Sequence, residues 1–310
     1  MDAYLDQLPQ QVLHGLTLGG IYALIAVGYT MVYGVLFMLH FAHGEIYMIG
    51  GFAAWWTLNL LTRNSVPTIN AGLLILLMIA LAMTVAACLG MAIERFIYRP
   101  IRKSPPFNLF LGAFGLSVFL QSAVFAFQGP EPRFFPSYTL IPESLRLFYV
   151  GDVVISFMRI MVTGISFILI ALVLIFLKAT RAGKALRAVA QDREAATLMG
   201  IDSGRVVVLA FLVASALGGA AGTLAGLLFT QVDFSIGLQA CLKGFTAALL
   251  GGMGNIFGAL LGGVILGLLE ALVAIFFPAA YQEAAAFLVL VSVLIFRPQG
   301  LMGEKALEKV

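Results

Sequence analysis

The stretch MLHFAHGEIYMIGGF, at positions 38–52, places two histidines and a glutamate inside a strongly apolar region. Imidazole and carboxylate groups can bind zinc, but a zinc site needs three or four converging donors. His40, His43 and Glu45 do not share one helical face, and the remaining histidine, His14, lies far away in the sequence. We therefore expect no metal site, and predict that these side chains cap a broken helix or line a path through the protein.

Glu45, Lys243 and Glu270 are the ionisable residues deepest in apolar sequence. A charge at the centre of a membrane helix costs about 2.5–3.5 kcal/mol on insertion scales, so each should be paired or should face water. If the regions around Glu45 and Lys243 meet, those two side chains could form an ion pair. A proton relay through Glu45 and Glu270 is an alternative that would suit an ion-coupled carrier.

The elements that position these residues are helices in lipid. The chain of 310 residues is 61% hydrophobic and 11% charged, whereas soluble domains carry about 25% charged residues. Apolar runs long enough to cross a hydrocarbon core of about 30 Å recur along it. We predict an all-α polytopic membrane protein, one domain over residues 1–310, with about eight spans, plus or minus one, because lipid offers no partner for exposed backbone. The runs are 12–41, 46–61, 71–93, 107–127, 153–177, 206–230, 237–277 and 284–296.

Basic residues predict the orientation of the chain, because Lys and Arg accumulate on the cytoplasmic side. Loops 94–106 and 178–205 and the tail 297–310 carry thirteen of them, and the alternate loops 62–70, 128–152 and 231–236 carry three. The first set is therefore predicted to be cytoplasmic and the second external. The net charge of +3 then requires no nucleic-acid partner.

Two apolar segments are interrupted by glycine. Gly44 and the pair Gly50-Gly51 follow the first long run, and Gly251, Gly252 and Gly254 divide the run 237–277. Glycine-interrupted segments in both halves of a transporter indicate a binding site in the membrane, so we predict a pathway near both breaks. The alternative is a tight turn between two ordinary helices. Glycines spaced by four within 218–226 and 258–267 predict close helix packing instead.

The cytoplasmic loop 178–205 is the most informative soluble segment. Lys184–Met199 has a partial apolar stripe and is followed by Gly200, which predicts a helix that ends there. Such a helix between two strong spans is well placed to dock into another protein; the alternative is a helix on lipid headgroups. The chain has neither a nucleotide-binding motif nor a nucleophile–base set. We therefore expect no enzyme activity and no cofactor on this chain, so active transport would need an ion gradient or a separate ATPase.

Several segments in order resemble the H-type permease subunit of bacterial branched-chain amino acid ABC importers, the LivH family. They are GLTLGGIYALIAVGYTMVYGV, HFAHGEIYMIGG, ERFIYRPIR, RAGKALRAVAQDREAATLMGI and KGFTAALLGGMGNIFGALLGGVILG. The resemblance runs from about residue 12 to RPQGLMG near the C-terminus. His40 departs from it, since many relatives have Asn there.

The resemblance implies a multi-pass inner-membrane permease for leucine, isoleucine or valine. It also implies a second homologous permease subunit, two cytoplasmic ATPases that bind ATP and magnesium, and a periplasmic binding protein. The family motif FAHGE maps onto Phe41, Ala42, His43, Gly44 and Glu45, and the ATPase-docking motif Glu-Ala-Ala-x3-Gly maps onto Glu194, Ala195, Ala196 and Gly200. A permease of the same fold for urea or short amides is the alternative, and an ion-coupled secondary transporter is a further one.

Overall fold

The structure of the chain, a computed structural model, describes residues 8–63, 70–102, 104–136, 140–141, 146–150, 153–278 and 280–303. Positions 137–139, 142–145 and 151–152 of the predicted external loop and 304–310 of the basic tail lie outside the described residues. The described chain is mainly helical, which confirms the predicted all-α membrane architecture. The helices are α1 (Leu8–Leu36), α2 (His43–Arg63), α3 (Ala71–Ile93), α4 (Pro106–Gln128), α5 (Phe157–Ala179), α6 (Arg181–Gln191), α7 (Arg193–Leu198), α8 (Ser203–Phe229), α9 (Ile236–Gly251), α10 (Ile256–Phe276) and α11 (Ala280–Phe296).

Most of these helices match the predicted spans. Among the described residues, six helices have the length and hydropathy to cross a membrane: α1, α3 with its extension to Ile101, α4, α5, α8 and α10. The shorter apolar helices are α9 and α11, and α2 is 21 residues long. The predicted run 237–277 is two helices, α9 and α10, as its glycines indicated.

Helices α1 and α8 form the centre of the molecule and are buried over most of their length. Gly19 and Gly267 bring α1 and α10 together, since a Cβ on Gly19 would lie 2.8 Å from Val264 Cα. Gly219 of α8 lies against Ala82 of α3 in the same way. The prediction that glycines allow close helix packing is confirmed at Gly222 and at Gly267.

The helix contacts repeat in two halves. Helix α1 packs on α10 as α8 packs on α3, α2 contacts α8 as α9 contacts α1, and α2 contacts α3 as α9 contacts α10. Phe37 and Thr230, with φ of 52° and 60°, are the non-glycine residues with positive φ among those described, and each directly follows α1 or α8. This is the pattern of an internal structural repeat. The counterpart of the break after α1 is therefore the break 230–235 after α8.

The glycines at 251–254 serve a turn between α9 and α10. Gly252 and Gly254 have φ of 107° and 95°, which an L side chain rarely adopts. The C-terminal segment satisfies the end of α9, because the N–H groups of Leu301 and Met302 donate to the carbonyls of Leu250 and Gly251 at 2.8 and 2.9 Å. The carbonyl groups of Leu250 and Gly251 at the end of α9 therefore have hydrogen-bond partners within the protein.

Gly50 and Gly51 do not weaken α2, which continues through them. A Cβ on Gly50 would overlap Gly219, and one on Gly51 would lie 3.3 Å from the Gly222 carbonyl oxygen. The expectation that Gly50 and Gly51 contribute to the break is therefore wrong. The helix continues through this pair, and the absence of side chains there allows α2 to pack closely on α8.

Two small antiparallel sheets lie in the segments between α4 and α5 and between α8 and α9. Strand β1 (Arg133–Phe134) pairs with β4 (Gln231–Val232), and β2 (Leu147–Val150) pairs with β3 (Val153–Ser156). Strands β1, β2 and β4 fall in loops predicted to be external, whereas β3 takes the first four residues of the predicted span 153–177. The first sheet ties the loop after α4 to the break that precedes α9.

The predicted cytoplasmic helix 184–199 is two helices, α6 and α7. Asp192 has φ of −151° and ψ of 110°, and its Oδ1 accepts from the N–H groups of Glu194 and Ala195 at 2.9 and 3.0 Å. An aspartate cap of this kind begins a new helix, which explains the division. Gly200, with φ of 83°, ends α7 as predicted.

Candidate functional site

The first turns of α2 and α9 cross at two glycines. A Cβ on Gly44 would overlap the Gly237 carbonyl oxygen and would lie 2.7 Å from Cys241 Cβ. Cys241 Sγ lies 2.8 Å from Tyr29 Oη of α1 and 3.4 Å from the Phe41 carbonyl oxygen. The breaks after α1 and after α8 therefore meet in the interior, and we call this contact the α2–α9 junction (residues 41–45 and 236–241).

Glu45 is 1% exposed and sits at the α2–α9 junction, where no ion pair is found for it among the described residues. Ser117 of α4 donates to Glu45 Oε1 at 2.9 Å, and a Cβ on Gly237 would overlap Oε2. The carboxyl group thus lies against the first turn of α9, where free backbone N–H groups make the positive end of the helix dipole. Helix α4 also reaches the second break, because Gln121 Nε2 donates to the Phe234 carbonyl at 3.5 Å.

The two histidines of the motif are buried and have separate roles. His40 Nδ1 lies 2.7 Å from Tyr98 Oη at the end of the α3 extension. His43 fills a space left by Gly28 of α1, where a Cβ would lie 2.5 Å from Nε2, and meets the Tyr29 ring edge-on at 4.8 Å. The predicted role of these residues at a broken helix fits their positions before and at the start of α2.

Lys243 pairs with Glu270 instead of Glu45. Lys243 Nζ lies 3.1 Å from Glu270 Oε2 and donates to Tyr22 Oη at 3.0 Å, and Tyr22 donates to Glu270 Oε2 at 2.7 Å. Glu270 is buried, whereas the Lys243 side chain is 21% exposed. The expected meeting of Glu45 with Lys243 is not found, because Lys243 lies on the face of α9 that contacts α1 and α10.

A cavity of about 630 Å³ lies beside the ends of α1 and α9. Phe37 from the first break and Met253–Phe257 from the α9–α10 turn line it together. Arg187 and Gln191 of α6 complete the wall, so the cavity opens at the predicted cytoplasmic side. Of the predicted pathway glycines, Gly254 reaches this cavity, while Gly251 and Gly252 pack against Gly258 and Gly303.

Helix α7 exposes apolar side chains on that same cytoplasmic side. Leu198, the last residue of α7, is 88% exposed, and Met199, which follows it, is 83% exposed, although α7 begins with a well-formed cap. In the predicted docking motif, Glu194, Ala195 and Gly200 are exposed and Ala196 is buried. We call residues 194–200 the α7 patch.

The α7 patch is anchored to the membrane helices through α6. Gly183 of α6 is packed on the backbone of Leu177, and Ala190 is the neighbour of Gly34, near the end of α1. Burial, and then the charge of Arg102, hold the pKa of Arg193 below its usual value, so the extension of α3 also approaches α7.

Sequence reasoning missed three side chains and one segment of the chain. Tyr22 and Tyr98 lie in apolar runs without a distinctive spacing, and their polar partners are 58 to 248 residues away. Ser117 gave no signal at all. The segment 231–236 was interpreted only as a short external loop, although its place after a long apolar run repeats that of the first break.

The fold and these sites define a class of protein: a multi-pass membrane permease subunit with a buried junction of broken helices and an exposed short helix in a loop predicted to be cytoplasmic. The sequence profile of the branched-chain amino acid transport system permease component matches residues 11–296. The chain belongs to this family, which confirms the resemblance and identifies a transport subunit and not an enzyme.

Relatives match along nearly the whole chain. It is 40% identical to the high-affinity branched-chain amino acid transport system permease protein BraD of Pseudomonas aeruginosa, over 97% of each chain. It is 37% identical to the corresponding protein LivH of Escherichia coli, also over 97% of each. A probable LivH of Methanocaldococcus jannaschii is 30% identical over 44% of this chain and 45% of that one. No solved structure matches this chain significantly.

Proposed function

We propose that this chain is the H-type permease subunit of an ABC importer that carries leucine, isoleucine, valine or similar hydrophobic amino acids across the inner membrane. The match over 97% of the chain to permease proteins named for high-affinity branched-chain amino acid transport carries the proposal. A hydrophobic zwitterion needs an apolar route with a few polar groups, and the α2–α9 junction is built in this way.

The pathway passes the α2–α9 junction and leaves through the cytoplasmic cavity. Phe41, Ala42, His43, Gly44 and Glu45 form the junction side of this route, and Gly254 forms part of the exit. Gly251 and Gly252 shape the turn that places Gly254 there. The support is that the break after α1 contributes Phe37 to the cavity and residues 41–45 to the junction, and that the carboxyl group of Glu45 lies against the first turn of α9.

The exposed faces of the chain indicate where the proposed partner proteins would bind. A second, homologous permease would cover α4 and α11, which leave many apolar side chains exposed while flanking the α2–α9 junction. Two cytoplasmic ATPases would supply ATP hydrolysis, one of them docking on Glu194, Ala195, Ala196 and Gly200. A periplasmic binding protein would deliver the amino acid to the external face, where the two small sheets lie.

The α7 patch transmits the movement of the ATPase through α6. Because α6 packs on Leu177 and beside Gly34, a displacement of α7 reaches the end of α1 and then Phe37, where the first break begins. A movement there would change the α2–α9 junction, since α2 starts six residues after Phe37. The route from the α7 patch to the junction is therefore one continuous series of packed elements.

Reconstitution tests the proposal. The chain, its partner permease, the ATPases and the binding protein are placed in proteoliposomes, and uptake of labelled leucine is compared with uptake of labelled urea. ATP-dependent leucine uptake is expected. Preferred uptake of urea would assign the alternative cargo, and leucine uptake driven by an ion gradient without the ATPases would replace the importer with a secondary carrier.

A further inference from the structure

A second cavity lies between α9 and α11. It measures about 50 Å³ and is lined by Gln239, Leu242, Lys243 and Thr246 of α9 and by Glu283, Ala286 and Phe287 of α11. The four α9 residues recur at helical spacing, so they form one face of that helix. None of these four residues lines the cytoplasmic cavity, and of the four only Gln239 falls within the α2–α9 junction.

The lining of this cavity has three kinds of chemistry. Lys243 supplies a positive charge, Glu283 in the first turn of α11 supplies a negative charge, and Leu242, Ala286 and Phe287 supply an apolar wall. A hydrophobic α-amino acid has the same three parts: a carboxylate, an ammonium group and an aliphatic side chain. Lys243 and Glu283 thus present one group of each sign to the cavity, which matches the two charged groups of a zwitterion.

Lys243 has capacity to bind a further anion. An ammonium group has three N–H donors, and the contacts found among the described residues use two, to Tyr22 Oη and Glu270 Oε2. The side chain is 21% exposed although its partner Glu270 is only 2% exposed. Glu270 and Tyr22 hold the amine from behind, and the open side of Lys243 faces the cavity.

The position suits the arrival of cargo from outside. Arg297 follows α11 directly and belongs to the predicted cytoplasmic tail, so the other end of α11, with Glu283, is external. The cavity has room for about one or two water molecules, and an amino acid would need α11 to move away. Helix α11 contacts only α9 and α10 closely among the described elements, and Phe287 is 46% exposed.

We propose that the α9–α11 cavity is an amino-acid recognition site on the external half of the permease, in which Lys243 binds the substrate carboxylate and Glu283 binds its ammonium group. This inference rests on the proposed function and names the residues that recognise the cargo. Glu270 and Tyr22 are positioning residues that act through Lys243.

Protection of a cysteine from labelling tests the site. Ala286→Cys is introduced with Cys88→Ser into the assembled transporter, and its labelling by methyl methanethiosulfonate is followed with and without leucine. Leucine is expected to slow labelling at least about tenfold. Leucinol, which lacks the carboxylate, and 4-methylpentanoate, which lacks the ammonium group, should protect far less. Equal protection by all three, or labelling that follows added phospholipid and ignores leucine, would overturn the proposal.

The paired variant Lys243→Gln with Glu270→Gln separates binding from structure. It removes both charges together and leaves amides that can still bond to each other and to Tyr22, so the complex should assemble. Leucine protection should nevertheless fall about tenfold, and Glu283→Gln should produce a similar loss. Glu131→Gln, an exposed external carboxylate outside the cavity, is the matched control and should protect normally. Normal protection in the double variant would mean that Lys243 serves structure alone.

The outcome can be distinguished from failure of the proposed function. ATP-dependent leucine uptake by the unmodified complex tests transport itself. If that uptake is present while leucine does not protect Cys at position 286, only the assignment of the α9–α11 cavity is overturned.

Discussion

The substitution Gly44→Ala tests whether the first turns of α2 and α9 really cross in close contact. The added methyl group would overlap the Gly237 carbonyl oxygen and would lie 3.0 Å from the Cys241 backbone nitrogen. Backbone atoms in a helix cannot rotate away as a side chain can, so the cost lies near the upper end of the range of about 1–3 kcal/mol for overpacking. The gain in helix propensity returns at most about 1 kcal/mol.

The expected net loss is therefore about 2 kcal/mol, which changes the folded-to-unfolded ratio about 30-fold. The matched control is Gly164→Ala on α5, where nothing lies within 4 Å of the added Cβ. That variant should be stabilised by about 0.5–1 kcal/mol. The two proteins, purified in the same detergent, are compared by denaturant titration with far-UV circular dichroism. If Gly44→Ala is as stable as Gly164→Ala, α2 and α9 do not cross at Gly44, and the junction is wrong.

Three further predictions concern the α7 patch and the buried polar pairs. Leu198→Ser should weaken co-purification with the ATPase at least about tenfold, as for an exposed apolar anchor, with no change in the free energy of unfolding of the isolated subunit. His40→Phe leaves the buried Tyr98 hydroxyl without its described partner and should cost about 1–3 kcal/mol, and adding Tyr98→Phe should recover part of that loss in a double-mutant cycle. Lys243→Met strands the Glu270 carboxylate and should cost about 3–5 kcal/mol by denaturant titration, whereas Lys243→Met with Glu270→Met should lie within about 1 kcal/mol of the natural protein.

Each of these three predictions has a result that would contradict it. An unchanged ATPase affinity for the Leu198 variant would remove the α7 patch from the coupling surface. Additive losses at His40 and Tyr98 would mean that the two side chains do not act together. Equal destabilisation of the single and double variants at Lys243 and Glu270 would mean that packing, and not the ion pair, determines stability there.

The breaks between helices show how much of the fold the local sequence can predict. The break near residues 38–45 and the turn at 251–255 were visible because glycine and polar residues interrupt apolar runs. The two are not equivalent to each other, which the sequence did not show. The structure relates the first break to Thr230–Ser235, since Phe37 and Thr230 both reverse the chain with positive φ after a central helix. Neither residue type favours that conformation, so only the packing around α1 and α8 imposes it.

The cytoplasmic segment shows the same division. Gly200 predicted where the helical region ends, and the exposed apolar end of that region could be expected from its stripe. The sequence also contained the aspartate that divides α6 from α7. An aspartate inside a helical pattern can remain on the surface or become a cap, and the contacts of α6 with α1 and α8 favour the second outcome.

The sequence by itself determined that this protein lies in lipid, that it is helical and which family it belongs to, because these properties depend on composition and on local order along the chain. Its basic loops predict the orientation. Tertiary structure decided which charges meet. Lys243 pairs with Glu270 and Tyr22 across 27 and 221 positions, and Glu45 lies at the positive end of α9 with Ser117. In a low-dielectric interior each charge needs a partner, and helix packing alone determines which partners are within reach.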